Sequence, residues 1–137
     1  MGQLTWFDRA GKVLGTAGEP GVFLLSIKLS RDASKVAMSR SQERNTDIWI
    51  FEFSHGVSTR FTFDPAADVS PVWSPDDSRI GFTSFRGGKV DFYQKAADGS
   101  GREELRSSPS SGPHYRTPQA AGSHGSRTQR FRWLVSG

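Results

Sequence analysis

Four aspartates recur at a regular spacing, and their carboxylates could act together in binding or catalysis. They are Asp32, Asp47, Asp76 and Asp91, and the second pair follows the first at a distance of 44 residues. Regularly placed carboxylates could bind a cation or a polar ligand, although the sequence lacks the spacing of a calcium loop. A carboxylate that recurs once per unit more often accepts backbone N–H bonds at a turn or a strand start. The pattern therefore favours a structural role for these aspartates.

Other catalytic chemistries find no support in the sequence. The chain has no cysteine, and its histidines, His55, His114 and His124, are too scattered for a set of metal ligands. Residues 122–126, Gly-Ser-His-Gly-Ser, do not satisfy the G-x-S-x-G pattern of a hydrolase nucleophile. The H-R-D and D-F-G motifs of a kinase do not occur. We therefore predict no catalytic residue, no metal and no cofactor, and expect that the chain is not an enzyme.

The distribution of charge argues against nucleic-acid binding. The formal net charge is +4, but residues 1–104 carry thirteen Lys and Arg against fourteen Asp and Glu. The other five basic residues are all arginines that follow Glu104. The basic character thus belongs to the end of the chain and not to the predicted folded part. No apolar run approaches the roughly 18 residues of a membrane span, and no signal peptide is recognisable, so we expect no direct membrane insertion.

An internal repeat of 44 residues defines the elements that must position these side chains. Residues 30–36, Ser-Arg-Asp-Ala-Ser-Lys-Val, align with residues 74–80, Ser-Pro-Asp-Asp-Ser-Arg-Ile. The same offset places residues 47–49, Asp-Ile-Trp, on residues 91–93, Asp-Phe-Tyr, without a gap. A period of about 40 to 45 residues with four short strands per unit is typical of propeller blades, which bury their faces by stacking on their neighbours.

Apolar alternation and turn residues give the predicted layout. Fifteen glycines and seven prolines indicate many turns, and residues 74–77, Ser-Pro-Asp-Asp, predict a type I turn in a hairpin. We predict an all-β fold, a partial β-propeller of about two and a half blades of four-stranded antiparallel sheet within residues 3–106. The units are a half blade at 3–18, a blade at 23–63 and a blade at 70–107, with Gly15, Gly18 and Gly21 in a hairpin and connector. Residues 107–137, rich in Ser, Gly and Arg, are predicted to be a degenerate or disordered tail.

These motifs resemble the TolB-like β-propeller family, a WD-type or PD-repeat family. The resemblance rests on two segments, Trp73-Ser74-Pro75-Asp76-Asp77 and Asp91-Phe92-Tyr93, and on Asp32, Asp47 and Trp49 one repeat earlier. It implies a propeller whose repeated residues are structural, and an extracytoplasmic or periplasmic location. The segment is also similar to the propeller that follows the kinase domain in some bacterial serine/threonine kinases.

Two departures from the family pattern bear on what the chain is. Asp77 stands where the family prefers glycine, and the earlier copy lacks both the tryptophan and the proline. A third motif would fall at residues 117–121, where Thr-Pro-Gln-Ala-Ala stands instead. We hypothesise that a reading-frame or assembly error replaced the next blade, so that the chain is a fragment of a larger protein.

The predicted contact surface consists of two polar, turn-like loops that we expect the core not to need. They are Gln42-Glu43-Arg44-Asn45 and, one repeat later, Arg86-Gly87-Gly88-Lys89. Loops on a rigid scaffold commonly carry binding. The aromatic residues at repeat-equivalent strand positions are interpreted as packing between blades. The sequence thus favours a non-catalytic scaffold for a protein or peptide partner; the alternative is the sensor propeller of a kinase or peptidase. Open blade edges also predict self-association.

Overall fold

A computed structural model describes residues 1–107 and 132–136 and is built from β-strands. One turn of 3-10 helix, Arg86–Gly88, lies among them. The strands are β1 (Gly2–Phe7), β2 (Val13–Leu29), β3 (Lys35–Gln42), β4 (Asn45–Glu52), β5 (Val57–Arg60), β6 (Asp68–Trp73), β7 (Arg79–Ser84), β8 (Asp91–Ala96), β9 (Glu104–Ser107) and β10 (Arg132–Ser136). The all-β prediction is confirmed.

The strands form two antiparallel sheets that reproduce the repeat. One sheet has the order β10-β1-β2-β3-β4-β5, and the other has the order β6-β7-β8-β9. The 44-residue offset is visible in the strand pairing, because Trp6 lies opposite Gly15 as Ile50 lies opposite Thr59. Strands β1 and the first half of β2 therefore occupy the positions in their unit that β4 and β5 occupy in the next.

The connector that the sequence predicts between the half blade and the first full blade is instead a continuous strand. Strand β2 pairs with β1 from Val13 to Gly21, and with β3 from Val22 to Leu29. Gly15 and Gly18 have positive φ and lie inside this strand. The pairing with β1 shifts register beside Gly15, between Trp6 and Phe7, as is common where glycine lies inside a strand. The predicted connector was wrong here.

Each full unit has the same hydrogen-bonded turn between its first and second strands. Asp32 accepts bonds from the Ser30 hydroxyl and from both the amide and the hydroxyl of Ser34, at 2.7 to 2.9 Å. Asp76 repeats this arrangement with Ser74 and Ser78, at 2.7 to 3.1 Å. A carboxylate that bonds its own turn fixes the hairpin that starts the next strand.

Two apolar clusters hold the units together face to face. The first lies between the half blade and the first blade and contains Leu4, Ala17, Val36, Met38 and Phe51. The second lies between the first and second blades and contains Ala37, Ile48, Phe61, Trp73, Ile80 and Phe82. Neighbouring residues of β3, such as Val36 and Ala37, point to opposite clusters because side chains alternate across a strand. Both faces of the first blade are therefore buried by its neighbours.

Part of the predicted tail falls within the described residues. Residues 132–136 form β10, which pairs with β1 from Gln3 opposite Ser136 to Phe7 opposite Arg132. Residues 108–131 and 137, with the position 117–121 of the expected third motif, His114, His124 and residues 122–126, lie outside the described residues. In the described part of the chain, strands β10 and β5 are the outer strands of one sheet, and β6 and β9 of the other.

Candidate functional site

The two predicted binding loops lie at the same end of the propeller segment. Strands β3 and β7 both run from the serine-aspartate turns toward this end, and each is followed directly by one of the loops. We call this the loop end, and the end with the turns at residues 30–35 and 74–79 the turn end. Of the first loop, Gln42, Glu43 and Arg44 are exposed, and Asn45 is half-buried.

The first loop is a two-residue hairpin with an unusual backbone. Gln42 pairs with Asn45, and the two residues between them, Glu43 and Arg44, have φ of 50° and 71°. Positive φ at both central positions matches the twist of the flanking strands and is normally supplied by asparagine and glycine. Two long charged residues are therefore held in a backbone conformation that disfavours them, a feature that is concentrated at functional positions.

Arg86 is not an exposed loop residue, which corrects the expectation that the core does not need this loop. Its guanidinium forms ion pairs with Asp64 at 3.4 Å, with Asp68 at 3.2 Å and with Glu103. It also stacks over the Tyr93 ring at 4.4 Å from the centroid, and its side chain is only 18% exposed. A planar guanidinium can bridge several carboxylates and an aromatic face at once, which sequence spacing does not reveal. Arg86 therefore fixes the base of the second loop.

The Asp68 carboxylate of this cluster is fully buried, so its charge needs a compensating partner. The Asp68 side chain is 0% exposed. Burial raises the pKa of the Asp68 carboxyl above its usual range, and Ser84 and Arg86 act against that rise. A buried carboxylate is costly unless a cation and hydrogen bonds accompany it. Arg86 is thus the group that makes an ionised Asp68 tolerable at the loop end.

Asn45 is likewise turned inward, toward a second buried carboxylate. Its amide donates to the Asp47 carboxylate at 3.3 Å and to the Asp64 carbonyl oxygen at 3.0 Å. Asp47 is also paired with Arg60 at 2.8 Å. Burial raises the pKa of the Asp47 carboxyl despite the Arg60 charge. These contacts tie the loop end of β4 to the segment that leads into the second blade.

The remaining residues of the second loop, and the residues on either side of it, are exposed. Gly87, Gly88 and Lys89 are all exposed. Phe85 and Val90 flank them and are 45% and 47% exposed, although both are large and apolar. The sequence analysis did not include these two residues in the contact surface, because an apolar residue next to a strand is normally predicted to belong to that strand. We define the loop-end surface as the exposed residues of both loops and their flanks: Gln42, Glu43, Arg44, Phe85, Gly87, Gly88, Lys89 and Val90.

The residues of the repeat motif are not members of the loop-end surface, although Asp47, Asp91 and Tyr93 lie beside or beneath it. The Trp73 indole donates to the Lys28 carbonyl oxygen at 2.9 Å, and thereby joins the two full blades. Ser74 is buried and Pro75 is exposed in the turn. Trp49 and Tyr93 pack against the first and second apolar clusters respectively. Asp91 is half-buried at the start of β8, across from Ser84.

The described part of the chain has neither a metal-binding cluster nor a membrane-spanning helix. Within residues 1–107 and 132–136, no group of three or more histidine, aspartate or glutamate residues is arranged to hold a metal ion. Among the same residues, no helix is long enough and apolar enough to cross a membrane.

Comparison with known proteins places the chain among propeller repeats. Residues 20–126 match the family described as TolB beta propeller domain. The Tol-Pal system protein TolB of Helicobacter pylori strain ATCC 700392 / 26695 is 32% identical over 79 residues. That alignment covers 58% of this chain and 19% of the relative, so the chain spans about a fifth of the length of that protein. The same values hold for TolB of Helicobacter pylori strain J99.

Solved structures agree with this placement. A putative TolB from Agrobacterium tumefaciens superposes with a TM-score of 0.58 at 24% identity, over 72% of this chain and 34% of the other. TolB from Acinetobacter baumannii gives a TM-score of 0.56 at 25% identity, over 71% of this chain and 24% of the other. In both cases the chain aligns with a part of a longer protein.

Proposed function

Because the chain belongs to the TolB beta propeller domain family, we propose that it is a non-catalytic repeat scaffold, part of a larger propeller, that binds a protein or peptide through the loop-end surface. The observation that carries this proposal is the contrast within the second loop. Arg86 is partly buried and paired with three carboxylates, whereas Gly87, Gly88 and Lys89 are exposed. A rigid base with an exposed tip is the arrangement on which binding loops are usually built.

The composition of the loop-end surface suits a protein partner. Phe85 and Val90 offer exposed apolar area, and the neighbouring Arg44 and Lys89 supply charge and hydrogen-bond donors. Interfaces combine apolar and aromatic anchors with a polar rim. The two-residue turn holds the backbone of Glu43 and Arg44 in one conformation before binding, and a preordered backbone lowers the entropy cost of association.

The wider setting of the scaffold follows from the family. We propose a periplasmic or extracytoplasmic location for the larger protein. The alternative, that the segment is the sensor propeller of a serine/threonine kinase or of a peptidase, stays a prediction. Kinase motifs encoded upstream, or a hydrolase domain encoded downstream, would decide in its favour.

Site-specific photo-cross-linking tests the proposed surface. A photoreactive amino acid is placed at Arg44 in one variant and at Lys89 in another, and the protein is exposed to a cell-envelope extract of its source. The matched control carries the same group at His55, whose side chain is 71% exposed at the turn end. We expect a discrete adduct from both loop-end positions and none from the control.

The identified partner is then used in a quantitative test. Binding by Arg44→Ala and by Lys89→Ala is compared with binding by Arg102→Ala, which removes an exposed arginine elsewhere. A loss of about tenfold for either loop variant, with an unchanged control, is the expected result. Equal adducts from both ends, or equal affinities for all variants, would reject the proposal.

A further inference from the structure

At the turn end, the two gaps between successive units are filled differently. In the first gap, Trp6 of the half blade and Phe53 of the first blade place their ring centroids 4.5 Å apart. Adding the 44-residue offset to these positions gives Ile50 and Ala97, which both line the second gap. Two aromatic rings in one gap therefore correspond to an isoleucine and an alanine in the next.

The backbone confirms that these positions are equivalent. The Phe53 amide donates to the Ser34 carbonyl oxygen at 3.1 Å, and the Ala97 amide donates to the Ser78 carbonyl oxygen at 2.9 Å. Trp6 and Ile50 hold the same register against the next strand, as described above. The difference between the gaps thus lies in side-chain volume and not in the course of the chain.

The second gap retains an open cleft of about 140 Å³ where the first holds its rings. Ile50, Phe61 and Ala97 form its apolar floor, and Lys35, Glu52 and Asp98 stand at its rim. We call it the inter-blade cleft. Ligand pockets for small molecules usually have volumes of about 300 to 1,000 Å³. The inter-blade cleft is therefore sized for one side chain and not for a whole small ligand.

Strand β5 provides a backbone edge beside the inter-blade cleft. Thr59 and Arg60 of this strand line the cleft. In the described part of the chain β5 is an outer strand of its sheet, with β4 as its one neighbour. Unpaired N–H and C=O groups on such an edge can accept an additional strand, and alternate side chains of that strand then enter neighbouring pockets.

We propose that the inter-blade cleft receives one aromatic side chain from an extended segment of a partner protein that pairs with the edge of β5. The aromatic pair in the first gap shows what fills this position when the chain supplies its own side chains. The site lies at the turn end, opposite the loop-end surface, and does not depend on the proposed function. Its mixed rim of Lys35, Glu52 and Asp98 sets no strong charge preference for the flanking residues.

The test uses the full chain and two capped pentapeptides, one with a central tryptophan and one with a central alanine between threonine and valine residues. Binding is followed by the amide resonances of Thr59, Ala97 and Gly99. The tryptophan peptide should bind with a dissociation constant on the order of 1 mM, as a single anchored side chain allows, and the alanine peptide at least tenfold more weakly. Equal binding of both peptides, no binding, or shifts confined to the loop-end surface would overturn the proposal.

Variants that fill the cleft give an independent readout. Ala97→Phe restores the ring that Phe53 supplies in the first gap and should abolish binding of the tryptophan peptide, with an unchanged or higher Tm. Ala96→Phe, the matched control on the opposite face of β8, should leave peptide binding unchanged. Unfolding of Ala97→Phe would mean that the cleft has no room for a ring, which contradicts the proposal. Arg44→Ala should bind the peptide normally, so the two binding proposals can fail separately.

Discussion

The Asp77 carboxylate accepts a hydrogen bond from the backbone amide of Arg31 at 2.9 Å, and so joins the turns of two successive blades. Its second oxygen accepts from the Asp32 amide at 3.2 Å. The family prefers glycine at this position, and Asp77 has the left-handed backbone, φ 58°, that explains the preference. An aspartate at this position is therefore less favourable for the backbone than glycine, but it adds two hydrogen bonds between the blades.

Replacing Asp77 with glycine should separate these two effects. Glycine relieves the left-handed backbone but removes both bonds, and we expect a net loss of about 1 kcal/mol in the free energy of unfolding. Ala33→Gly is the matched control, since Ala33 is the equivalent residue one repeat earlier, has φ 59° and lacks a carboxylate. It should stabilise by about 0.5 kcal/mol. Urea denaturation measures both, and equal stabilisation by the two variants would show that the Asp77 bonds contribute nothing.

Acid titration should reveal the turn that Asp76 holds. Hydrogen bonds from Ser78, and then from Ser74, lower the pKa of the Asp76 carboxyl to about 2. Because the folded value lies below the ordinary value of about 3.9, its stabilising contribution is complete above that value and is lost as the pH falls toward 2. Ser78→Ala should raise the pKa of Asp76, as followed by carboxyl NMR signals. Ser34→Ala, which removes the equivalent hydroxyl bond to Asp32, should leave the Asp76 titration unchanged.

The 44-residue period predicted the all-β fold because apolar alternation and turn chemistry are local signals. The continuation of β2 through Gly15 and Gly18 was not predicted, since glycines between strands usually indicate a break, and the pairing of β2 with both β1 and β3 is a long-range property. Arg86 shows the same limit. Its three carboxylate partners come from segments that no spacing rule connects, whereas the glycines after it did predict an exposed loop. The inter-blade cleft could have been predicted by comparing Trp6 and Phe53 with Ile50 and Ala97 across the repeat.

Removal of the Arg86 charge should destabilise the protein in a pH-dependent way. Arg86→Met leaves Asp68 buried without its cation, which should cost about 3 kcal/mol at neutral pH. Burial already raises the pKa of Asp68, and losing Arg86 raises it further. The deficit should therefore shrink as the pH falls through that raised pKa, because the carboxyl then becomes neutral.

A double-mutant cycle isolates this effect. In an Asp68→Asn background, Arg86→Met should cost much less, and its cost should vary little with pH. Arg60→Met is the comparison at Asp47, where the arginine is 38% exposed and the loss should be smaller. A deficit for Arg86→Met that is the same in both backgrounds would mean that Arg86 acts through its stacking on Tyr93 and not through Asp68.

The free edge of β5 should also control how the isolated chain associates. The strand has four residues, and Val57, its first residue, is 53% exposed. Its outer edge therefore combines unpaired backbone groups with apolar surface. Charged residues on an edge strand oppose pairing with a second copy. Val57→Lys should therefore lower the apparent mass of the chain in light scattering at high protein concentration. Val90→Lys makes the same change at a similarly exposed residue outside the strands, and it should have no such effect. If the native chain is already a monodisperse monomer with a cooperative melt, its edges do not pair, and neither substitution has anything to suppress.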